Sequence, residues 1–191
     1  PVILKVRLMH AVSRYYVQQT DWSEEELGVP ICQEDLLATL MGFSRTPLRY
    51  LPKLGIKVTE QNAQDVLYYW SVLGELLGIR SDIIPCNLQE ADAVNQAIFE
   101  RQQGKTKEGI ELSHALLKEL PNLFPVPAQF PGRKAFVSLF PALIRHLMEA
   151  EWCDMLEIPK SSWTLVVQQQ TLVGKLWDAT QRRFKVFNDL T

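Results

Sequence analysis

Three histidines, at positions 10, 114 and 146, are the side chains of this sequence best suited to bind a metal ion. A di-iron carboxylate site would need Glu-x-x-His pairs on two helices, with further glutamates opposite. Glu111 and His114 have this spacing, His146 and Glu149 have it in reverse, and no second Glu-x-x-His pair is present. A structural role is therefore the expected one for His146, and also for His114 on the apolar stripe of another predicted helix.

His10 emerges from the apolar stripe of the first predicted helix. At about 100° per residue, its neighbours on that stripe are Ile3, Val6 and Val17, with Arg7 and Arg14 at the margin. A neutral imidazole on a rigid apolar helix face is what an axial ligand to haem iron requires. Either arginine could pair with a haem propionate. A lone histidine on such a stripe is more often a core residue, so spacing alone leaves both roles open.

Other motifs that carry chemistry are absent from the sequence. There is no Gly-x-Gly-x-x-Gly fingerprint, no complete phosphate-binding loop ending in Gly-Lys-Ser/Thr, and no Gly-x-Ser-x-Gly nucleophile elbow. The carboxylates at Glu24–Glu26, Glu34 and Asp35 stand where helices are expected to start, and there the helix dipole favours negative charge. We therefore expect them to support helices and not to catalyse.

Charge and composition exclude several classes of partner. The 191 residues include 20 basic and 22 acidic side chains, which gives no basic patch for nucleic acid and no polybasic face for a membrane surface. No run of about 18 apolar residues is present, so neither a signal peptide nor stable membrane insertion is expected from this chain. The three widely spaced cysteines predict free, reduced and mostly buried thiols, and hence a cytoplasmic location: Cys32, Cys86 and Cys153.

The apolar periodicity predicts an all-α fold, with residues 1–191 forming a single multi-helix domain. Apolar residues recur at helical spacing almost throughout, and no strand pattern exceeds a few residues. A chain of this length can bury about 70% of the surface that its unfolded form exposes. Helices are predicted at 2–19, 33–44, 59–77, 87–103, 106–120, 133–156 and 162–188.

Three of these segments carry more specific predictions. The first helix has apolar residues around most of its circumference, which predicts burial on most of its sides. Pro141 should kink or split the helix at 133–156. The segment 121–132 holds four prolines and a glycine, so an extended linker or rim loop is expected there.

Two motifs near the start of the chain resemble a known family. The first is Arg-Leu-Met-His-Ala at 7–11, and the second joins Gly-Val-Pro-Ile at 28–31 to Gln-Glu-Asp-Leu at 33–36. Together they look like the signature of the MpaB-type oxygenases. That family includes the latex clearing proteins, which are rubber oxygenases, and the endoplasmic-reticulum-bound oxygenase of mycophenolic acid biosynthesis. The similarity is strongest over residues 5–55 and continues diffusely in Gly-Glu-Leu-Leu-Gly-Ile at 74–79.

The resemblance implies a globin-like helical core that binds haem b, with His10 as the proximal iron ligand. Arg14, at the margin of the His10 stripe, is then expected as a further haem-binding residue that could pair with a propionate. It also implies oxidative cleavage or oxygenation of a small apolar substrate, such as an isoprenoid, by dioxygen. The alternative is a non-catalytic helical module that retains the fold without haem chemistry. Neither reading specifies an oligomeric state.

The sequence departs from the family pattern in two respects. The family has an asparagine where this chain has Cys32, so Gln33 becomes the expected residue to orient the proximal histidine. The basic and hydroxyl residues that the family places near bound oxygen precede the histidine motif, and only nine residues precede His10 here. We therefore expect that the sequence begins inside a larger domain, and no catalytic residue is carried over.

Overall fold

The computed structural model describes residues 2–124 and 131–167, together with the single residues 129 and 169. Throughout these residues the regular elements are helices, so the predicted all-α class is confirmed. None of these helices combines the length and apolar character needed to cross a lipid bilayer. The α-helices of the described residues are α1 (Val2–Val17), α2 (Glu24–Leu27), α3 (Gln33–Phe43), α4 (Arg45–Tyr50), α5 (Glu60–Leu77), α6 (Leu88–Gln102), α7 (Lys107–Glu119), α8 (Arg133–Leu147) and α9 (Ala150–Met155).

Local chemistry fixes the ends of the predicted helices. The Thr59 hydroxyl accepts a hydrogen bond from the Asn62 amide at 3.1 Å, which caps the start of α5. Gly78 ends the same helix in the left-handed conformation, with φ of 96°, as is common for a glycine after a helix. Thr106 caps α7 through the Gly109 amide. These boundaries agree with the predicted ones to within a residue or two.

Pro141 does not divide its helix, contrary to one of the two predicted outcomes. Helix α8 continues through Pro141 to Leu147, and the chain leaves helical geometry at Met148 and Glu149 before α9 begins. A proline inside a helix costs about 3 kcal/mol. The residues on either side of it, Phe140 and Ala142, are buried, and this packing maintains the helix.

Other predicted segments differ in detail from the structure. The expected loop at 20–32 contains the single-turn helix α2, capped by Ser23. Of the helix predicted at 162–188, residues 164–167 and 169 are helical and the remainder lies outside the described residues. The expected rim loop at 121–132 also falls partly outside them. The three cysteines are free as predicted, but Cys153 alone is buried and Cys86 is exposed.

The chain forms two compact units, residues 1–49 with 58–102, and residues 50–57 with 103–191. The prediction of one domain over the whole chain stays a prediction. In the first unit, α3 packs against α5 and α6, and α1 packs against α5. Its core consists of Leu36, Leu37, Leu40, Met41, Leu67, Ile79, Ile84 and Ala91.

The second unit is built around α8. This helix packs against α9 and against the short 3-10 segments at 51–54 and 120–123. Phe124, Phe136 and Phe140 form an aromatic cluster with ring centroids 5.2–5.8 Å apart. Aromatic rings in edge-to-face and tilted contact at these distances stabilise a core beyond the area that they bury.

Helix α1 is much less buried than its sequence predicts. No residue of α1 is fully buried, and Leu4, Leu8, Met9 and Tyr16 are each more than 60% exposed. The prediction of burial on most sides is therefore wrong for this structure. The physical reason for the exposure is that α1 contacts mainly α5. One stripe of the helix is therefore covered, and the rest of its apolar circumference has no packing partner within the described residues.

Candidate functional site

His10 lies on the inward face of α1. The half-buried residues of this helix fall on a single stripe: Ile3, Val6, His10, Arg14 and Val17. Spacings of three and four residues place side chains on the same side of a helix. The predicted apolar stripe of His10 is confirmed, and Arg14 lies on it one turn beyond the imidazole.

An apolar cavity of about 560 Å³ lies on one side of His10. Its walls come from α1, α3 and α5 and from the segments around Ile31 and Ile79, all within the first unit. Apart from His10, Asp35 and Thr39, every lining residue is apolar. The volume falls within the range of about 300–1,000 Å³ that is typical of small-molecule sites.

The other polar side chains of this cavity already have partners. The Thr39 hydroxyl donates to the Asp35 carbonyl at 2.9 Å, and the Asp35 carboxylate accepts from the Cys32 amide at 2.8 Å. The His10 ring makes no hydrogen bond to any residue that the structure describes. Its imidazole is therefore available to an occupant of the cavity.

Two aromatic rings form part of the cavity wall. Phe43 and Trp70 lie nearly parallel, with an interplanar angle of 18° and ring centroids 5.6 Å apart. This pair of rings was not predicted from the sequence as part of a site. The place of Trp70 on the apolar stripe of α5 indicates in the sequence that this ring faces inward. Phe43 is the last residue of α3, and the apolar periodicity gives no such indication for it.

A second cavity, of about 410 Å³, also borders His10 and has a more polar lining. Arg7, Arg14 and Gln33 contribute to its lining, along with His10 itself. The imidazole thus stands at the boundary between an apolar space and a space bordered by two guanidinium groups. This division matches a ligand that has an apolar body and an anionic edge.

Backbone carbonyls accept hydrogen bonds from all three of these polar side chains. Arg7 Nη1 donates to the Leu76 carbonyl at 3.2 Å, and Gln33 Nε2 donates to the Gly78 carbonyl at 3.0 Å. Gln33 Oε1 also accepts from the Arg80 amide at 2.9 Å. The expected role of Gln33 in orienting His10 is not seen, because its amide is bonded to the chain that follows α5.

Arg14 holds the loop before α3. Its Nε donates to the Pro30 carbonyl at 3.1 Å, and its Nη2 donates to the Ile31 carbonyl at 2.9 Å. The guanidinium is half-buried, whereas that of Arg7 is exposed. Of the two arginines, Arg7 therefore has more donors free for a bound anion.

The other two histidines have structural partners. His114 Nε2 lies 3.0 Å from the Glu157 carbonyl, and His146 Nε2 lies 2.8 Å from the Lys53 carbonyl. Because a carbonyl only accepts, each ring carries its proton on Nε2 in these bonds. Both contacts lie in the second unit, and both agree with the structural role expected from the sequence.

Clusters of classical metal-ligating side chains are not found in the described ranges. No three histidine, cysteine, aspartate or glutamate side chains there stand close enough together to hold a metal ion. A ligand arrangement that uses one imidazole, as in haem, is the form of metal binding that His10 could support.

Comparison with known proteins agrees with the motifs around His10. Residues 2–181 match the family described as the catalytic domain of the endoplasmic-reticulum-bound oxygenase mpaB/B' and rubber oxygenase. The rubber oxygenase of Streptomyces sp. strain K30 is 28% identical over 117 residues, which are 60% of this chain and 29% of that protein. No solved structure matches the chain significantly. The chain belongs to the mpaB and rubber oxygenase catalytic-domain family.

Proposed function

We propose that this chain binds haem b through His10 and is part of an oxygenase that acts on a small apolar substrate, such as an isoprenoid, by oxidative cleavage or oxygenation. The observation that carries the proposal is the position of the His10 imidazole, which makes no hydrogen bond to the described residues, between an apolar cavity and a cavity bordered by arginines. Membership of an oxygenase family supports the same conclusion.

The residues around His10 fit a haem. A porphyrin needs an axial base, an apolar space for its ring and cations for its propionates. His10 offers an imidazole that makes no hydrogen bond within the described part of the chain. The wall with Phe43 and Trp70 offers apolar and planar surface, and Arg7 offers an exposed guanidinium. The carboxylate of Asp35, which also lines the apolar cavity, accepts a hydrogen bond from the Cys32 amide through Oδ2.

The protein's own contribution is binding, orientation and exclusion of water. When bound, haem would supply the chemistry of dioxygen. Leu36, Leu40 and Ile79, which are buried, form the dry part of the cavity. A low local dielectric of this kind favours an apolar substrate and lowers access for water. We assign no catalytic acid or base to the described residues.

Haem titration tests the proposal. We expect a Soret band to grow and saturate when haem is added to the full chain, with a dissociation constant in the micromolar range or below, and oxygen consumption in the presence of a short isoprenoid. A folded, monodisperse protein that takes up no haem would overturn the proposal. That outcome would favour the second candidate, a helical module that binds an apolar ligand in the same cavity.

A further inference from the structure

Ile31 has a strained backbone at the edge of the apolar cavity. Its φ is 54°, in the left-handed region, where a β-branched residue is rarely found. Such a conformation persists only when the surrounding structure enforces it. The side chain of Ile31 packs against the core of the first unit and lines the same cavity as His10.

Hydrogen bonds fix the chain on both sides of Ile31. The guanidinium of Arg14 bonds the Pro30 carbonyl, before Ile31, through Nε and the carbonyl of Ile31 itself through Nη2. After it, the amide of Cys32 donates to the carboxylate of Asp35. A guanidinium can hold two acceptors in one fixed geometry, which an ammonium group cannot reproduce.

Arg14 and His10 are also linked through their helix. They are separated by one turn of α1, on the same half-buried stripe. By holding the carbonyls of Pro30 and Ile31, Arg14 sets the distance between the imidazole and the Ile31 wall of the cavity. A shift of that wall would change the width of the space next to the imidazole.

We infer that Arg14 is a positioning residue, which clamps the strained Ile31 segment against α1 and so shapes the haem pocket, and that it does not act mainly as a partner for a propionate. The part of this inference that concerns haem rests on the proposed function. The clamp itself is a property of the protein without haem, so the two can fail separately.

A double-mutant cycle of Arg14→Met and Ile31→Gly tests the clamp. Methionine retains an unbranched apolar side chain at position 14 without its donors, and glycine adopts a positive φ without strain. In the haem-free protein, we expect Arg14→Met to lower the melting temperature by several degrees in the parent and by less than half as much in the Ile31→Gly background. Equal losses in both backgrounds, or no loss in either, would overturn the clamp.

Haem titration of the same four proteins gives the second readout. We expect Arg14→Met to weaken haem binding about ten-fold in the parent and less than three-fold in the Ile31→Gly background. Arg14→Lys, which keeps the charge, should weaken binding nearly as much as Arg14→Met. Recovery of parental affinity by Arg14→Lys, with an unchanged melting temperature for every Arg14 variant, would show that Arg14 is a propionate partner and would overturn the inference.

Arg7→Met is the matched control for Arg14→Met. Arg7→Met removes a neighbouring guanidinium whose hydrogen bond goes to the Leu76 carbonyl and not to the carbonyls of Pro30 and Ile31. Its effect on haem affinity should therefore be the same with isoleucine or glycine at position 31. A coupling between Arg7 and Ile31 as large as that of Arg14 would contradict the assignment of the clamp to Arg14. If the parent binds no haem, the proposed function fails while the haem-free melting cycle still decides the clamp.

Discussion

At the scale of single residues, His10 differs from the other two histidines in the contacts of its imidazole. His114 and His146 are each bonded to a backbone carbonyl, while His10 faces two cavities without a hydrogen bond to the described residues. Helical spacing predicted the face on which His10 lies. It could not predict the absence of a partner, because that depends on which groups the loop at 30–31 and the end of α5 bring near the ring.

Gln33 provides a prediction at the same scale. Its amide bonds the Gly78 carbonyl and the Arg80 amide, so Gln33→Leu should lower the free energy of unfolding by about 1–2 kcal/mol while the spectrum of bound haem stays unchanged. Urea unfolding and haem titration measure the two effects. Gln96→Leu, which removes an exposed bond within α6, is the control and should change stability by less than about 0.5 kcal/mol. A shifted Soret band with unchanged stability would instead place Gln33 in contact with the iron ligand.

At the scale of helices, capping residues and apolar periodicity predicted most boundaries, and packing explains where they failed. Thr59, Thr106 and Gly78 carry local signals that specify helix ends without tertiary contacts. By contrast, α8 continues through Pro141 because the buried residues beside it outweigh the local cost. The most buried positions of α5 include a glycine, Gly74, which gives no hydrophobic signal in the sequence.

Gly74 allows the close approach of α5 and α3. A Cβ atom there would lie 2.9 Å from Leu40 Cδ2 and 3.2 Å from Ile84 Cδ1, whereas one added at Gly42 would meet nothing within 4 Å. Overpacking costs about 1–3 kcal/mol, and replacing glycine by alanine within a helix gains at most about 1 kcal/mol. We therefore expect Gly74→Ala to lower the melting temperature and Gly42→Ala to leave it unchanged or raise it. Equal increases for both variants would contradict the packing of these helices.

At the scale of the whole chain, the ion pairs lead us to expect that the folded state loses stability in acid. Arg45 bonds both carboxylate oxygens of Asp92, at 2.7 and 2.8 Å, and these hydrogen bonds hold the pKa of Asp92 below its usual value. A hydrogen bond from Arg145 likewise lowers the pKa of Asp154. A carboxyl group whose pKa is lower in the folded state stabilises the fold above its unfolded pKa, near 3.9, and this stability is lost as pH falls through the folded pKa.

A pH series of melting temperatures measures this loss. We expect the melting temperature to fall as the pH is lowered from about 5 to 2, and to fall less steeply in Asp92→Asn, because one titrating ion pair is gone. The contribution of this partly exposed pair should be at most about 1 kcal/mol. Asp21→Asn removes an exposed carboxylate that forms no ion pair with the described residues and should leave the pH profile unchanged. Parallel profiles for the parent and Asp92→Asn would contradict the assigned role of the pair.

The fold class could be predicted from periodicity, and the family from two short motifs, because both depend on residue order alone. The exposure of α1 could not be predicted in this way. Leu4, Leu8 and Met9 have the composition of a buried helix, and their exposure depends on which other elements pack against α1. The hydrogen bonds from Arg14 to the carbonyls of Pro30 and Ile31 could not be predicted from the sequence either, because an arginine at the margin of an apolar stripe carries no signal of the carbonyls that it bonds.

Ligation of haem iron by His10 is the central claim, and the Soret band of His10→Ala tests it most directly. The parent and His114→Gln, whose amide can still donate to the Glu157 carbonyl, should bind haem with the same affinity and the same Soret position. His10→Ala should bind haem at least ten-fold more weakly, with a shifted Soret band. If His10→Ala binds haem as tightly as the parent and with the same spectrum, His10 is not the iron ligand.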